Sequence, residues 1–215
     1  RNGVDTVAFA PRSRLEARSG LGVSRFCIVS VGALIARKGH ELTIAAMRDL
    51  PDCQLIIAGQ GPLRAQLTTL ARQCGVEERV RFVGEVPHQE LALYYSAADA
   101  MVLMSDREGW ANVILESLAC GTSVIATDVG GAGEIIRSAV AGRLLGERSA
   151  AALAREVMSL RENMPPREAT RRYAEAFSWD AVARANSALL TALSRRALPA
   201  NIDDAYSVRG PDARG

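Results

Sequence analysis

Three stretches carry residue types from which a site for a polar, anionic ligand can be built. The first is GALIARKGH at 32–40, a glycine-bearing loop that leads two adjacent cations, Arg37 and Lys38, into a helix start. Free amides at a helix N-terminus, together with Arg and Lys charges, suit an anion such as a diphosphate. An isolated Arg-Lys pair is more often a solvated surface feature. Composition shifts that balance: of 26 cationic residues, Lys38 is the single lysine and the other 25 are arginine. A preference for arginine explains the count but not where the exception stands, and lysine acts on phosphate as a compact point charge.

The second stretch is DREGWANVILE at 106–116. Glu108 lies just before a predicted helix, Glu116 falls in its second turn, and Gly109 to Val113 place free N–H groups at its N-terminus, which again suits phosphate. A carboxylate beside Val113, Ile114, Leu115 and Leu118 is costly to bury without a partner, and sugar hydroxyls would serve as one. Spacing alone leaves the alternative open, with Glu108 as a capping charge and Glu116 on a solvent face. The third stretch, DVGGAGE at 128–134, is a glycine-rich turn. It is not a G-x-G-x-x-G after the first strand, so a nicotinamide fingerprint is unsupported, and it signals only close backbone approach to a ligand.

Other chemistry finds less support. His40 and His88 each sit near a predicted helix start, which reads as capping or solvent exposure. Ser13, Ser105 and Ser117 lack a G-x-S-x-G context, and no Asp-x-Asp motif occurs, so neither a hydrolase triad nor a required metal is expected. Cys27, Cys53, Cys74 and Cys120 form no C-x-x-C pair and read as buried reduced thiols in a reducing compartment.

The elements that must position these residues alternate. Strands are predicted at 26–32, 54–59, 80–84, 100–104, 123–127 and 142–146. Helices are predicted at 40–50, 62–75, 88–98, 111–120 and 130–137, then at 149–162, 167–176 and 179–196. This is the pattern of an α/β doubly wound parallel sheet with a helical C-terminal extension. In such a sheet ligands bind beyond the carboxyl ends of the strands, in the loops after Val31, Ala58, Val83, Met104 and Thr127. Residues 1–12 read as the extended, turn-rich end of an interdomain linker, 13–196 as the domain, and 197–215, almost without large apolar residues, as a disordered tail.

The 215 residues are 48% hydrophobic with a net charge of +2. That composition excludes disorder of the whole and gives no basis for a nucleic-acid partner. No run of 18 uncharged apolar residues exists. The opening RNGVDTVAFAP has neither a leading Met nor an apolar signal segment, and reads as a start in mid-protein.

Taken in order, NGVD, VGALIARKG, LIIAGQGP, RVRFVGEV, AADAMVLMSDREGWANVILESLACGTSVIATDVGGAGE and FSWD resemble the C-terminal, donor-binding domain of family 4 retaining glycosyltransferases, over about residues 2–196. The most specific element is the Glu-x7-Glu pattern read with the upstream Lys-Gly and the downstream Gly-Gly turn. The resemblance implies a Rossmann-like domain of the two-domain GT-B fold, a nucleotide diphosphate sugar as donor, and no cofactor or metal. It implies that Lys38 grips the diphosphate with help from Arg37, that Glu108 meets the sugar hydroxyls, and that Glu116 takes the ribose hydroxyls. Gly32, Gly109, Trp110, Ala111, Asn112 and Val113 would lie along phosphate and sugar, and Val86 would meet the base through its backbone. One departure is Ala33, where many members carry an arginine, a strong phosphate ligand.

The acceptor-binding domain would precede Arg1, so this chain alone is expected to bind donor but to transfer little. The final helix would leave an apolar face uncovered. The implied activity is hexosyl transfer to a glycan or glycolipid in bacterial polysaccharide biosynthesis, in the cytoplasm or at the inner face of the membrane. Two alternatives remain: an inactive nucleotide-binding subunit that needs a separate acceptor chain, and a sugar-nucleotide epimerase of the same architecture.

Overall fold

The computed structural model describes residues 2–194. Arg1, the last two residues of the helix predicted at 179–196, and the segment 197–215 read as a tail lie outside the described residues. Six strands form one parallel sheet: β1 (Phe26–Val31), β2 (Cys53–Ala58), β3 (Val80–Gly84), β4 (Ala100–Leu103), β5 (Val124–Thr127) and β6 (Gly142–Leu145), in the spatial order β3-β2-β1-β4-β5-β6. The order reverses between β1 and β4, which pair at Ile28 with Ala100 and Val29 with Met101. That junction is where a crevice opens above an open parallel sheet.

Side chains alternate across the pleat, so each strand feeds two cores. Val29, Val31, Met101 and Leu103 face one layer, formed by α1 (Arg14–Gly20), α4 (Leu91–Ala97), α5 (Asn112–Ala119) and the short α6 (Ala132–Ile135). Ile28, Leu55, Ile57, Ala100 and Val102 face the other, formed by α2 (His40–Ala46), α3 (Arg64–Gln73) and α7 (Ala150–Glu162). α8 (Arg167–Glu175) packs on α5, and α9 (Trp179–Ser194) follows it. Trp179 and Leu190 of α9 are exposed. Among the described residues no helix is long and apolar enough to cross a membrane.

The opening segment, read as the turn-rich end of a linker, is turned at residues 6–9 and packed on the domain. Val4 and Phe9 are buried, Val4 N–H donates to the Phe177 carbonyl at 2.9 Å, and the Arg171 guanidinium donates to the carbonyls of Thr6 and Phe9, each at 2.7 Å. Two apolar anchors and a forked donor fasten this stretch to the α5/α8 side of the domain. α1, absent from the sequence reading, follows it. Of the cysteines, Cys27, Cys53 and Cys120 are buried as expected, whereas Cys74 is only partly covered.

Candidate functional site

The loops after β1 and β4 are fastened to each other by their backbones. Gly39 sits at φ 66, and a Cβ there would overlap the Met104 carbonyl oxygen at the end of β4. Only glycine adopts this conformation so close to another chain segment without strain. Next to it, Asp106 N–H donates to the Arg37 carbonyl at 3.0 Å. The side chains inherit this closeness. Lys38 Nζ donates to Glu108 Oε1 at 2.6 Å, and Ser105 Oγ donates to the same oxygen at 2.6 Å. Arg37 Nη1 lies 3.9 Å from Glu108 Oε2 and donates to the Arg107 carbonyl at 3.1 Å. The Lys38 stem lies along Gly32, where an added Cβ would come within 3.4 Å of its Cδ and Cε.

Burial alone would raise the pKa of Glu108, but the hydrogen bonds from Lys38 and Ser105 and the charges of Lys38 and Arg37 outweigh it and hold the carboxyl below the usual range. Glu108 is therefore an anion neutralised mainly by Lys38. An ammonium has three donors, so the contact with Glu108 leaves two for another anion.

Glu108 is not a helix cap: the cap position of α5 is Ala111, and no side chain caps its N-terminus. What shapes its loop is the Gly-Gly turn after β5. Gly130, at φ 56, leaves no room for a Cβ against the Glu108 and Gly109 carbonyls, Gly131 N–H donates to the Gly109 carbonyl at 2.8 Å, and Gly131 lies under the Trp110 ring. The close backbone approach expected of DVGGAGE is thus made to the 108–110 loop. Ala111 is buried, Val113 half-buried, and Asn112 exposed, with its Oδ1 accepting a hydrogen bond from Asn2 Nδ2 at 3.2 Å. Trp110 Nε1 is buried with no hydrogen-bond partner among the described residues.

Glu116, one helical turn deeper, is buried, which removes the solvent-face alternative. Tyr95 from α4 donates its hydroxyl to Oε2 at 3.0 Å, and His88 Nε2 lies 3.0 Å from Oε1. The His88 ring meets Phe9 edge to face, with centroids 4.9 Å apart. Val86 is half-buried in the loop just ahead, between β3 and α4, and packs on the same core layer.

His88 is exposed, as expected, and is also tied to Glu116, whereas His40 differs from the capping or solvent role expected of it. His40 is fully buried, with Nδ1 3.1 Å from Ser30 Oγ. Burial pushes its pKa below the usual imidazole range despite the Gly32 and Ala33 carbonyls, so it packs as a neutral ring beneath the loop that carries Lys38. Ala33 is exposed on that loop.

The structure therefore gathers Gly32, Arg37, Lys38 and Glu108 into one group and adds Ser105, which sequence reasoning considered only as a nucleophile. It gathers Glu116 into a second group with His88, Tyr95 and Phe9, partners that the sequence reading did not assign to it. Val86 borders this second group, while Gly109, Trp110, Ala111, Asn112 and Val113 form the loop and helix start that connect the two. Among the described residues no three His, Cys, Asp or Glu side chains gather as a metal site requires.

The chain is similar to known proteins over most of its length. Residues 12–177 match the family model for "Glycosyl transferases group 1". The chain is 36% identical over 158 residues to a GDP-mannose-dependent alpha-(1-6)-phosphatidylinositol monomannoside mannosyltransferase of Mycolicibacterium smegmatis, covering 66% of this chain and 41% of that protein. It superposes on the sucrose-phosphate synthase of Thermosynechococcus elongatus with a TM-score of 0.80 and 31% identity, over 91% of this chain and 52% of that one. Anabaena Alr3699/HepE in complex with UDP and glucose shares the fold at a TM-score of 0.77 and 24% identity, over 90% of this chain and 55% of that one. The chain thus spans about half, or less, of the length of each. With its six-stranded parallel sheet and its flanking and C-terminal helices, it belongs to the group 1 glycosyl transferases of the GT-B architecture.

Proposed function

We propose that the chain is the donor-binding half of a retaining glycosyltransferase that moves a hexose from a nucleoside diphosphate sugar to a glycan or glycolipid. The observation that carries this reading is the Lys38–Glu108 pair at the junction of β1 and β4, 2.6 Å apart, with 17% of the Lys38 side chain left exposed. Lys38 turns its unused donors to the diphosphate, with Arg37 beside it, and the α5 amides add partial positive charge. As the bond to the anomeric carbon breaks, negative charge grows on the departing diphosphate. Cations already in place lower the energy of that state without reorganisation. Glu108, kept ionised, accepts from sugar hydroxyls and orients the hexose. Glu116 accepts from the ribose, and the backbone at Val86 borders the base.

The relative that uses GDP-mannose and the structure that holds UDP support a nucleotide-linked donor while differing in the base. The acceptor, and the groups facing the opposite side of the anomeric carbon, belong to a domain outside this sequence. Catalysis in the cleft between two domains requires both halves. The full protein works in the cytoplasm or at the inner membrane face, in polysaccharide assembly. Titration calorimetry with GDP, UDP and their hexose derivatives tests the reading. Lys38→Ala is expected to weaken binding about a hundredfold, in line with loss of a charge-assisted contact to phosphate, and Glu116→Ala about tenfold. Unchanged affinity in both variants would overturn it.

A second reading, a nucleotide-binding subunit without turnover, draws on Ala33, which withholds a forked phosphate ligand from this loop. Turnover by the intact two-domain protein with any donor excludes that reading.

A further inference from the structure

Glu116 has two partners of opposite character. Tyr95 is fully buried on α4, and burial, reinforced by the negative charge of Glu116, pushes its phenol well above the usual range, so it stays a donor at every working pH. His88, by contrast, has a side chain 68% exposed and can leave without opening the core. A carboxylate offers about four lone-pair sites. Tyr95 occupies one on Oε2 that no ligand can reach and thereby fixes the plane of the group. His88 occupies one on Oε1 that a ligand can take over.

We propose that Tyr95 is a positioning residue that holds Glu116 in register for a ribose diol, and that His88 is a place-holder which the diol displaces from Oε1. This rests on the reading of Glu116 as the ribose partner. A fixed acceptor costs the ligand less ordering entropy than a freely rotating one, so the benefit of Tyr95 appears only in ligands that carry the diol. His88 is faced by Glu116 from α5 and by the Phe9 ring from the opening segment. Its ring competes with the diol for Oε1, so its removal leaves that oxygen to the diol.

The test compares GDP and UDP with their 2′,3′-dideoxy counterparts by calorimetry on this chain, the affinity ratio within each pair measuring the diol contribution. Tyr95→Phe, which keeps the ring, is expected to lower that ratio about tenfold while leaving the dideoxy affinity and the melting temperature close to the parent's. His88→Ala, which vacates Oε1, is expected to raise that ratio about threefold.

Equal loss for both ligands in Tyr95→Phe, with an unchanged ratio in His88→Ala, marks a merely structural role and overturns the inference. If Tyr95→Phe does not fold, the ratio in His88→Ala decides alone. If Glu116→Ala removes the diol contribution but neither other variant alters it, the inference fails and the ribose reading stands. If Glu116→Ala also leaves it intact, or if neither nucleotide binds, the ribose reading fails and takes the inference with it.

Discussion

β4 has a carboxylate near each end, Asp99 one residue before it and Glu108 five residues after, with side chains only 8% and 9% exposed, and their surroundings make them opposites. Asp99 accepts from Arg14, from Arg18 at 3.0 Å and from the Cys27 amide at 2.7 Å. Arg18 is itself committed, donating to the carbonyls of Ala97 and Arg25. These partners fasten α1 to the starts of β1 and β4 and have little left to offer a ligand. Glu108 is held by Lys38, whose ammonium keeps donors in reserve, and by Arg37, which is 40% exposed. The two acids share chemistry and burial. What separates structure from site is whether the partners of the buried charge are saturated.

The widest gap between the two should appear in stability. Asp99→Ala leaves the buried Cys27 amide without its acceptor and releases Arg14 and Arg18, and is expected to lower the unfolding free energy by about 3 kcal/mol in urea denaturation. Glu108→Ala is expected to cost less than about 1 kcal/mol. Equal losses would dissolve the comparison.

A smaller effect concerns pH. Because the folded pKa of Glu108 is depressed, its contribution to stability is present above the ordinary glutamate range and is lost as pH falls through the lowered folded value. Stability profiles between pH 7 and pH 3 should therefore fall less steeply for Glu108→Gln than for the parent, and coincident profiles would deny the depressed pKa. Smallest is Arg37→Ala, expected to reduce GDP or UDP affinity about threefold because its charge is solvated and distant. A loss as large as that for Lys38→Ala would make Arg37 the substitute for the arginine missing at Ala33.

How far the sequence reveals this molecule follows from how local each signal is. Strands bounded by Gly or Asp, with β-branched runs between them, are legible within one or two residues, and so is the placing of the Lys38 and Glu108 loops at the carboxyl ends of the strands, though not the contact between the two side chains. α1 escaped because it buries only Ala17 and so lacks an apolar stripe. Its signal lay elsewhere, in Ser13 and Glu16 at capping-box spacing, where Ser13 Oγ accepts from Glu16 N–H at 3.4 Å. The partners of Glu116 escaped for a different reason. Tyr95 and His88 lie 21 and 28 residues away, on α4 and on the turn before it, and nothing in local spacing specifies which face of α4 meets α5. His40 was misjudged because its proximity to a helix start concealed a layer of sheet below and a loop above.

The contact of Gly39 with the end of β4 also bears on the order in which the chain acquires its site. β1, β2 and β3 draw on a continuous run of sequence and can pair early, but Lys38 meets Glu108 only when segments 70 residues apart have closed into one sheet. A chain halted with half its sheet assembled would hold the lysine without the neighbouring strand that gives it direction. If the proposed donor site holds, nucleotide protection against proteolysis reports completion of the β1–β4 seam, and so distinguishes finished domains from compact, partly assembled ones.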